Sequence, residues 1–554
     1  MPNDVDIARK FQARAIDEIA AGLGILKTDV LPYGRDMAKV HLNALTRPTS
    51  RKGRLVLVSA TTPTASGEGK TTTTIGLGQA FSRLGESVCL ALREPSLGPC
   101  LGMKGGATGG GYSQVMPADR INLHFTGDFH AITSANNLLS AAIDNHIYHG
   151  NDLGIDPRQV VWRRVMDMND RSLRHIVVGL GGKGQGIPRE GGFDITAASE
   201  VMAMLCLAED LNDLRRRLDR TLVAYTYRGE PVHAGQLRVT GALLALLRDA
   251  VHPNLVQALE GTPAFIHGGP FANIAHGCNS LAATRMAMHH ADWAITEAGF
   301  GFDLGAEKFF DIKCRQAGLD PVAVVLVTTV RALKMHGGKA KSDLEREDLQ
   351  ALVMGFDNLD KHIENVGKFN KTPVVALNRF ASDSDAEVAL VRARCRELDI
   401  PFALCTHHAD GGAGAIELAR QVMALAKTSE PFSPLYPLAL PVADKVRVIC
   451  REIYGADDVA FTRQAEKDLQ QVELLGLTQL PVCVAKAPSS LSDDPALRGR
   501  PRHFDVTVRG IEINAGAGFL VILTGDILRM PGLPKSPAAE RIDLTADGFI
   551  EGLS

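Results

Sequence analysis

Residues 61–72 read TTPTASGEGKTT, and they follow the apolar run LVLV at residues 55–58 after two small residues. Behind them, apolar residues recur at helical spacing from Ile75 to Leu84. Strand, glycine-rich turn and helix is the layout of a phosphate-binding loop, because the unpaired N–H groups and the positive dipole end of a helix N-terminus attract an anion. The stretch therefore predicts a site for the phosphates of a nucleotide.

The residue types within this loop match the tasks of phosphate binding. Lys70 would reach the outer phosphates, and the hydroxyl of Thr71 would face Mg²⁺. The strict loop pattern has glycine at position 64, where this chain has a threonine. A glycine turn that merely joins strand to helix is the alternative, and the loop alone does not say which nucleoside triphosphatase this is. The ATP-binding candidates are Thr64, Ala65, Ser66, Gly67, Glu68, Gly69, Lys70 and Thr71.

Size and composition narrow the class of protein. A chain of 554 residues suggests about three or four domains at roughly 150 residues each. Hydrophobic residues make up 45% and charged residues 22%, which is typical of a soluble globular protein. The net charge of -3 gives no footprint for nucleic acid or for an anionic membrane. We therefore expect small-molecule substrates, with no nucleic acid or membrane partner.

The cysteines and the N-terminus bear on localisation. None of the nine cysteines forms a C-x-x-C pair, so neither a zinc knuckle nor a redox motif is indicated. The N-terminus has no basic region followed by an apolar run, which a secretion signal would require. The longest strongly apolar run, residues 322–330, is too short to cross a bilayer. These features together predict a cytoplasmic protein.

Short apolar runs alternate with helical segments along most of the chain, and this alternation predicts an α/β fold with a doubly wound, mainly parallel sheet. The final part differs, because its apolar residues alternate with period two and flank a glycine turn, as in an antiparallel or mixed β unit. We predict a large P-loop nucleotide-binding domain at residues 1–360 and two smaller α/β or mixed-sheet domains at 361–440 and 441–554. The apolar runs lie at residues 88–92, 176–180, 293–296, 322–328, 373–377 and 402–405.

Arg93 is the first candidate outside the loop, because it follows the second apolar run, where ligands bind in open α/β sheets. Its planar guanidinium suits a carboxylate or a phosphate. Phosphoryl transfer is catalysed mostly by positioning and charge neutralisation, so a second cation facing Lys70 is what the formation of an acyl phosphate would need. A surface charge is the alternative.

Two further stretches carry polar groups of undecided role. The alternation of Asn122, His124 and Thr126 predicts the polar face of a strand, which either leads into a site or is simply half-buried. The stretch at residues 330–338 combines basic residues and glycines after an apolar run. It would bind an anion, such as a folate-like glutamate tail, or form a solvated loop.

Taken together, these stretches resemble the formate–tetrahydrofolate ligase family over nearly the whole chain. The resemblance is far more specific than the phosphate loop, because it extends over long matches. They are LREPSLGP at 92–99, GMKGGATGGGY at 102–112, INLHFTGD at 121–128, FIHGGPFANIAHG at 265–277, EAGFG at 297–301, RALKMHGG at 331–338 and MPGLP at 530–534.

The resemblance implies a reaction in which ATP, formate and tetrahydrofolate give 10-formyltetrahydrofolate, ADP and phosphate through formyl phosphate. It implies that Lys70 holds the phosphates, Arg93 holds formyl phosphate and the hydroxyl of Thr71 holds Mg²⁺. Glu94 and Asp128 are further candidates for the same cluster, with Asp128 as a metal ligand. The family also has threonine at the position of Thr64.

The resemblance also implies a folate pocket in the second domain, where the family stacks its folate between aromatic rings. Phe380 matches one ring, whereas His408 stands where the family usually has Trp or Phe. Imidazole is smaller and can be protonated, so we expect weaker and more pH-dependent folate binding. The family further implies a homotetramer, a monovalent cation such as K⁺ or NH₄⁺, and a place in one-carbon metabolism.

Three other functions share part of this pattern. A partner-switching P-loop ATPase often carries an extra lysine early in the loop, where this chain has Thr-Ala-Ser. Another carboxylate-activating ligase would share Lys70 and Thr71 but has no need of the folate-side motifs. A protein that binds nucleotide only structurally would not need Lys70, Thr71 and Arg93 together.

Overall fold

The computed structural model describes residues 4–64, 67–102, 107–525 and 527–553. Ala65 and Ser66 of the predicted phosphate loop lie outside these ranges. Within them the chain is a mixed α/β protein, which confirms the predicted class at that level. No helix in the described ranges is long and apolar enough to cross a membrane.

The α-helices are numbered in chain order. They are α1 Asp4–Arg9, α2 Ile16–Gly22, α3 Lys70–Arg83, α4 Leu97–Leu101, α5 Ala118–Asn122, α6 Asp128–Tyr148, α7 Glu200–Leu207, α8 Leu211–Asp219, α9 Thr240–Leu247, α10 Leu281–His290, α11 Arg315–Ala317, α12 Val330–His336, α13 Leu349–Gly367, α14 Asp385–Glu397, α15 His407–Asp410, α16 Ile416–Leu425, α17 Val442–Ile449 and α18 Arg463–Leu474.

The strands are numbered in the same way. They are β1 Val30–Pro32, β2 Ala38–Val40, β3 Arg54–Ala60, β4 Val88–Leu92, β5 Gly109–Gly110, β6 Ser113–Met116, β7 Ile155–Val160, β8 Arg164–Met166, β9 Ile176–Val178, β10 Arg189–Gly191, β11 Phe193–Ile195, β12 Leu222–Thr226, β13 Pro231–His233, β14 Asn254–Ala258, β15 Pro263–Ile266, β16 Trp293–Glu297, β17 Pro321–Thr328, β18 Pro373–Asn378, β19 Phe402–Cys405, β20 Asp458–Phe461, β21 Val482–Ala485, β22 Asp505–Asn514, β23 Phe519–Thr524, β24 Asp543–Leu544 and β25 Ile550–Glu551.

Shorter helical turns connect these elements. Three are π-helical, at Phe302–Ala306, Phe309–Cys314 and Cys450–Tyr454. The 3₁₀ turns are Lys27–Asp29, Leu42–Thr46, Arg171–Leu173, Thr196–Ala198, Ala234–Leu237, Lys341–Asp343, Gly411–Ala415 and Ala538–Arg541.

A large central sheet organises the molecule, with the strand order β1-β2-β14-β15-β4-β16-β3-β17-β18-β19. Neighbouring strands are parallel throughout the spatial order β15-β4-β16-β3-β17-β18-β19. On the other side of β15, the pairs β1-β2, β2-β14 and β14-β15 are antiparallel. The parallel strands are the continuous apolar runs of the sequence, because helices cover both faces of such strands. The sheet as a whole is mixed, since its other edge is built from short antiparallel strands.

The C-terminal part forms a separate four-stranded sheet with the order β20-β22-β23-β21. Its strands pair both parallel and antiparallel, which agrees with the predicted mixed β unit. Strands β18 and β19, which fall in the predicted second domain, extend the same sheet as β3. The domain division at residue 360 thus cuts across one sheet, and it stays a prediction.

Two local predictions were wrong. Residues 122–126 are not a strand, because helix α5 ends at Asn122 and a turn through Gly127, at φ +94°, leads into α6. The apolar run at 176–180 is not a core strand. It forms a short antiparallel pair of β9 with β10, apart from the central sheet, and the left-handed glycine Gly179 follows β9 directly.

Candidate active site

The predicted phosphate loop lies between β3 and α3, at the carboxyl edge of the parallel strands. Gly67 and Gly69 adopt left-handed backbone conformations, at φ +76° and +74°. A Cβ on Gly69 would lie 2.5 Å from Nδ2 of Asn378, so the close approach of that amide also requires glycine here. Lys70 and Thr71 begin α3, where the first backbone N–H groups of a helix have no intrahelical partner.

Glu68 is buried within this loop and holds it closed. Its Oε1 accepts a hydrogen bond from the backbone N–H of Thr64 at 2.7 Å, and its Oε2 accepts one from the hydroxyl of Thr329 at 2.7 Å. Thr329 directly follows β17. This side chain therefore ties the loop to the neighbouring strand and does not point its carboxylate at the space above the loop.

Glu297 links the loop to Arg93, and sequence analysis assigned it no role. Its Oε2 accepts a hydrogen bond from the hydroxyl of Thr71 at 2.8 Å, and its Oε1 lies 3.6 Å from Nε of Arg93. Glu297 is the last residue of β16, which lies between β3 and β4. The sequence does show an acidic residue directly after the apolar run 293–296, which marks it as a candidate at a strand end. Its place between the loop and Arg93 depends on the order of the strands in the sheet, which the sequence does not show.

Oxygen donors at this position suit a hard divalent cation. Thr71 supplies a hydroxyl and Glu297 a buried carboxylate, and Mg²⁺ prefers such oxygens together with those of phosphates. The part of the chain that the structure describes holds no group of three or more His, Cys, Asp or Glu side chains that could bind a metal without phosphate. The Thr71 hydroxyl and the Glu297 carboxylate are oxygen donors of the kind that Mg²⁺ takes together with phosphate oxygens.

Asp128, the other predicted metal ligand, lies in a buried polar cluster. Its Oδ1 is 2.7 Å from Nζ of Lys39, and its Oδ2 accepts a hydrogen bond from Asn254 at 2.8 Å. Burial, and then the charge of Asp128, raise the pKa of the neighbouring Glu94 well above its usual range. A cation at Asp128 would have to compete with Lys39, whereas Thr71 contacts a different carboxylate. The metal role of Asp128 stays a prediction.

Phe380, the first predicted folate-stacking ring, is half-buried just beyond the end of β18. The guanidinium of Arg331 lies 4.3 Å from the ring centroid, so a cation covers one face of the ring. The backbone N–H of Phe380 donates to Asp383 at 2.8 Å and fixes the turn. Arg331 belongs to the basic stretch 330–338, which the structure thereby brings to Phe380.

His408, the second predicted ring, lies in the short helix α15 and its side chain is 54% exposed. Its Nε2 is 3.8 Å from Oδ1 of Asp4, the first residue of α1. The same carboxylate oxygen accepts a hydrogen bond from the backbone N–H of Gly111 at 2.8 Å. The backbone carbonyl of His408 accepts one from Tyr112. Helix α1 and residues 109–112 therefore lie beside this imidazole.

The adjacent His407 has a different environment. It is fully buried, and burial together with the charge of His408 lowers its pKa to about 4. Its Nε2 lies 3.2 Å from the hydroxyl of Thr73 in α3. This neutral imidazole fastens α15 to the helix that begins at the phosphate loop.

The two folate candidates and the phosphate loop lie at the same edge of the sheet. Strands β18 and β19 are adjacent and parallel, with Asn378 paired to Cys405. The N–H of Arg379 donates to the carbonyl of Cys405, which joins the segments that carry Phe380 and His408. Asn378 also donates to the carbonyl of Glu68 at 3.4 Å. Ligands bind at this edge in open α/β sheets.

Comparison with known protein families gives one match that spans nearly the whole chain. A family model described as formate–tetrahydrofolate ligase matches residues 2–554.

Proposed function

The chain belongs to the formate–tetrahydrofolate ligase family, and from this premise we propose that the carboxyl edge of the parallel strands is its active site. The enzyme joins formate to tetrahydrofolate at the expense of ATP. The observation that carries the location is the convergence of four strand ends: the loop after β3, Arg93 after β4, Phe380 after β18 and His408 after β19.

The proposed reaction has two steps. A formate oxygen attacks the γ-phosphorus of ATP, which gives formyl phosphate and ADP. The N10 amine of tetrahydrofolate then attacks the formyl carbon, the C–O bond to phosphate breaks, and the amine loses its proton. Formate alone is a poor acyl donor because its leaving group would be oxide, and phosphorylation supplies a better one.

Both steps pass through crowded negative charge, and the cationic residues of the site account for its neutralisation. Lys70, at the start of α3, holds the outer phosphates, as in other phosphate loops. Arg93, whose side chain is 26% exposed, holds the transferred phosphoryl group and the formate oxygens. Mg²⁺, when bound with ATP, supplies further charge neutralisation, and Thr71 is its proposed protein ligand.

The remaining loop residues, Thr64 to Gly69, complete the proposed ATP site, where the glycines let the backbone approach the phosphates. Tetrahydrofolate stacks against Phe380, with the cation of Arg331 behind that ring. His408 forms the other wall of the pocket. The half-buried ring and the exposed imidazole follow adjacent strands, which supports this placement.

Several finer features are also part of the proposal. They are the three-domain division at residues 360 and 440, assembly as a homotetramer, stimulation by a monovalent cation and a cytoplasmic location. The nine free, buried cysteines suit a reducing compartment and support the last of these.

The assay that tests this proposal mixes protein, Mg-ATP, formate and tetrahydrofolate, acidifies the mixture and measures the methenyl absorbance of the product. We expect Lys70→Ala and Arg93→Ala each to lower the rate by about 100-fold or more, because each removes a charge that neutralises the transition state. Exposed Lys427, at the end of α16, provides the control Lys427→Ala.

Two outcomes would contradict the proposal. ATP turnover that ignores both formate and folate would exclude the reaction for this chain. Full activity in Lys70→Ala, with the control unchanged, would place ATP elsewhere.

A further inference from the structure

We propose that Glu297 is a positioning residue that orients both Thr71 toward the metal of Mg-ATP and Arg93 toward the acyl phosphate. The inference rests on the proposed location of ATP at the phosphate loop. It assigns a role to a residue that no part of the loop pattern identifies.

Strand order gives Glu297 this position. Strand β16 is hydrogen-bonded between β3, which leads into the phosphate loop, and β4, which leads into Arg93. All three strands run parallel, with Glu297 paired to Val58. Its side chain therefore emerges at the carboxyl edge between the two cationic parts of the proposed site, and each of them is one strand away.

Burial makes the contacts of this carboxylate consequential. The side chain of Glu297 is only 4% exposed, and an ionised carboxylate out of water requires compensating partners. It receives them from the Thr71 hydroxyl at 2.8 Å and from the guanidinium of Arg93 at 3.6 Å. A buried group with these two partners couples their positions, since neither can move away without leaving the charge less compensated.

The direction of the hydrogen bond between Thr71 and Glu297 determines which atoms of Thr71 can bind a metal. A carboxylate has no proton to give, so the Thr71 hydroxyl must be the donor. With its proton directed at Glu297, the hydroxyl oxygen keeps its lone pairs for a cation. Carboxylates that hold a metal ligand in this way fix its orientation and raise its basicity.

The contact with Arg93 leaves the outer part of the guanidinium for substrate. The nearest nitrogen to Glu297 is Nε, the innermost of the three. Nη1 lies over Gly299, where a Cβ would come within 2.7 Å of it, so the absence of a side chain there makes room for the arginine. Glu297 thus anchors Arg93 at its inner end, on the side of the phosphate loop.

The experiment compares Glu297→Gln with the wild type by calorimetric titration of ATP in EDTA and in excess Mn²⁺, and by Mn²⁺ electron spin resonance of the ATP complex. We expect Mn²⁺ to bind the ATP complex about 10- to 100-fold more weakly in the variant, the usual effect of losing an outer-sphere partner. Binding of metal-free ATP should stay within about threefold of the wild type, the scatter of ordinary neutral substitutions. The KM for formate should also rise in Glu297→Gln, because Arg93 loses the charged partner that orients it.

The matched control is Glu86→Gln. The carboxylate of Glu86 accepts a hydrogen bond at 2.8 Å from Nε1 of Trp293, at the opposite end of the same strand β16. Glu86→Gln also removes a carboxylate that contacts β16, but we expect its ATP complex to bind Mn²⁺ as tightly as that of the wild type. If Glu297→Gln does not fold, Glu297→Asp retains the charge and withdraws the carboxylate, and it should show the same weakened metal binding.

An identical metal dependence in wild type and a folded Glu297 variant would overturn the inference. The proposed function fails in a different way. If Lys70→Ala binds ATP as tightly as the wild type, the nucleotide does not occupy this loop, and the proposed function fails. If Lys70→Ala loses ATP binding while Glu297→Gln keeps the metal dependence of the wild type, only the role of Glu297 is overturned.

Discussion

His408 is an exposed imidazole with a carboxylate 3.8 Å away, at the position proposed as one wall of the folate pocket. Solvent screens a pair this exposed, so the contact holds the imidazole only weakly. A protonated imidazole is more strongly hydrated and a poorer stacking surface than indole. If His408 lines the folate pocket as proposed, we expect the identity of this side chain to affect the affinity for tetrahydrofolate.

We expect His408→Trp to lower the KM for tetrahydrofolate by about two- to tenfold, the size of an aromatic contact of about 0.5–1.5 kcal/mol. The KM for ATP should stay the same, because His408 lies after β19 and not in the phosphate loop. Steady-state assays with each substrate varied in turn measure both. His503→Trp changes another highly exposed histidine and serves as the control. An unchanged or raised KM for tetrahydrofolate would count against stacking at this position.

Residues 109–112 contact both α1 and α15 beside the proposed folate pocket. Gly111, at φ +56°, lies against α15 so closely that a Cβ there would come within 1.9 Å of the carbonyl oxygen of His408. Its N–H also donates to Asp4. A backbone neighbour cannot rotate away as a flexible side chain can, so a substitution here must displace α15.

We expect Gly111→Ala to raise the KM for tetrahydrofolate while leaving the KM for ATP near its original value. The substitution adds the cost of a left-handed alanine, about 1 kcal/mol, to the displacement of His408. Gly476→Ala is the control for the backbone cost alone, because Gly476 is also left-handed, at φ +67°, but has open space where the Cβ would go. Equal folate kinetics in the two variants would show that the contact with α15 does not matter for binding.

Buried histidines make the whole molecule sensitive to acid. Burial lowers the pKa of His267, His362 and His407 to about 4 and that of His276 to about 3. In the unfolded chain these groups bind protons below about pH 6.5. The unfolded state therefore gains protons that the native state does not, and stability falls as the pH drops from about 6.5 toward 4.

Buried acids act in the opposite direction, and they include Glu94 and Glu307, whose pKa burial raises well above the usual range. Burial raises the pKa of Asp167 and Asp311 to about 6 and that of Glu200 to about 7. The native state takes up protons at these groups between about pH 7 and 4.5, while the unfolded state stays ionised, so they add stability on acidification. In the described part of the chain the pKa is lowered at eight histidines, the four above with His252, His289, His290 and His336, and raised at seven carboxyl groups. We therefore expect the balance to be a modest loss of stability with acid.

Urea unfolding at pH 7.5 and pH 5.5 measures this balance. We expect the free energy of unfolding to fall by about 1 kcal/mol per pH unit as the pH drops from about 6.5 to 5.5. Glu200→Gln removes one of the opposing titrations, and its amide oxygen can still accept from the N–H of Gly516, as Glu200 does at 2.7 Å. This variant should therefore be more acid-sensitive than the wild type. A midpoint that is unchanged or higher at pH 5.5 would contradict the expectation.

Local patterns were sufficient for part of the molecule. The helix that begins at Lys70, the apolar runs of the parallel strands and the period-two alternation of β22 all depend on residues that are neighbours in the sequence, and the structure has each of these elements. The turn at residues 122–127 escaped prediction because polar alternation also occurs where a glycine with positive φ redirects the chain.

The sequence by itself determined the family, the α/β class and the positions of Lys70, Thr71 and Arg93 at element ends. Only the tertiary structure decided that Glu297 lies between Thr71 and Arg93. It also decided that Asp4 reaches His408, from the far end of the chain. The physical reason is that local backbone preferences select elements, whereas the pairing order of buried strands, set by long-range packing, selects which element ends meet.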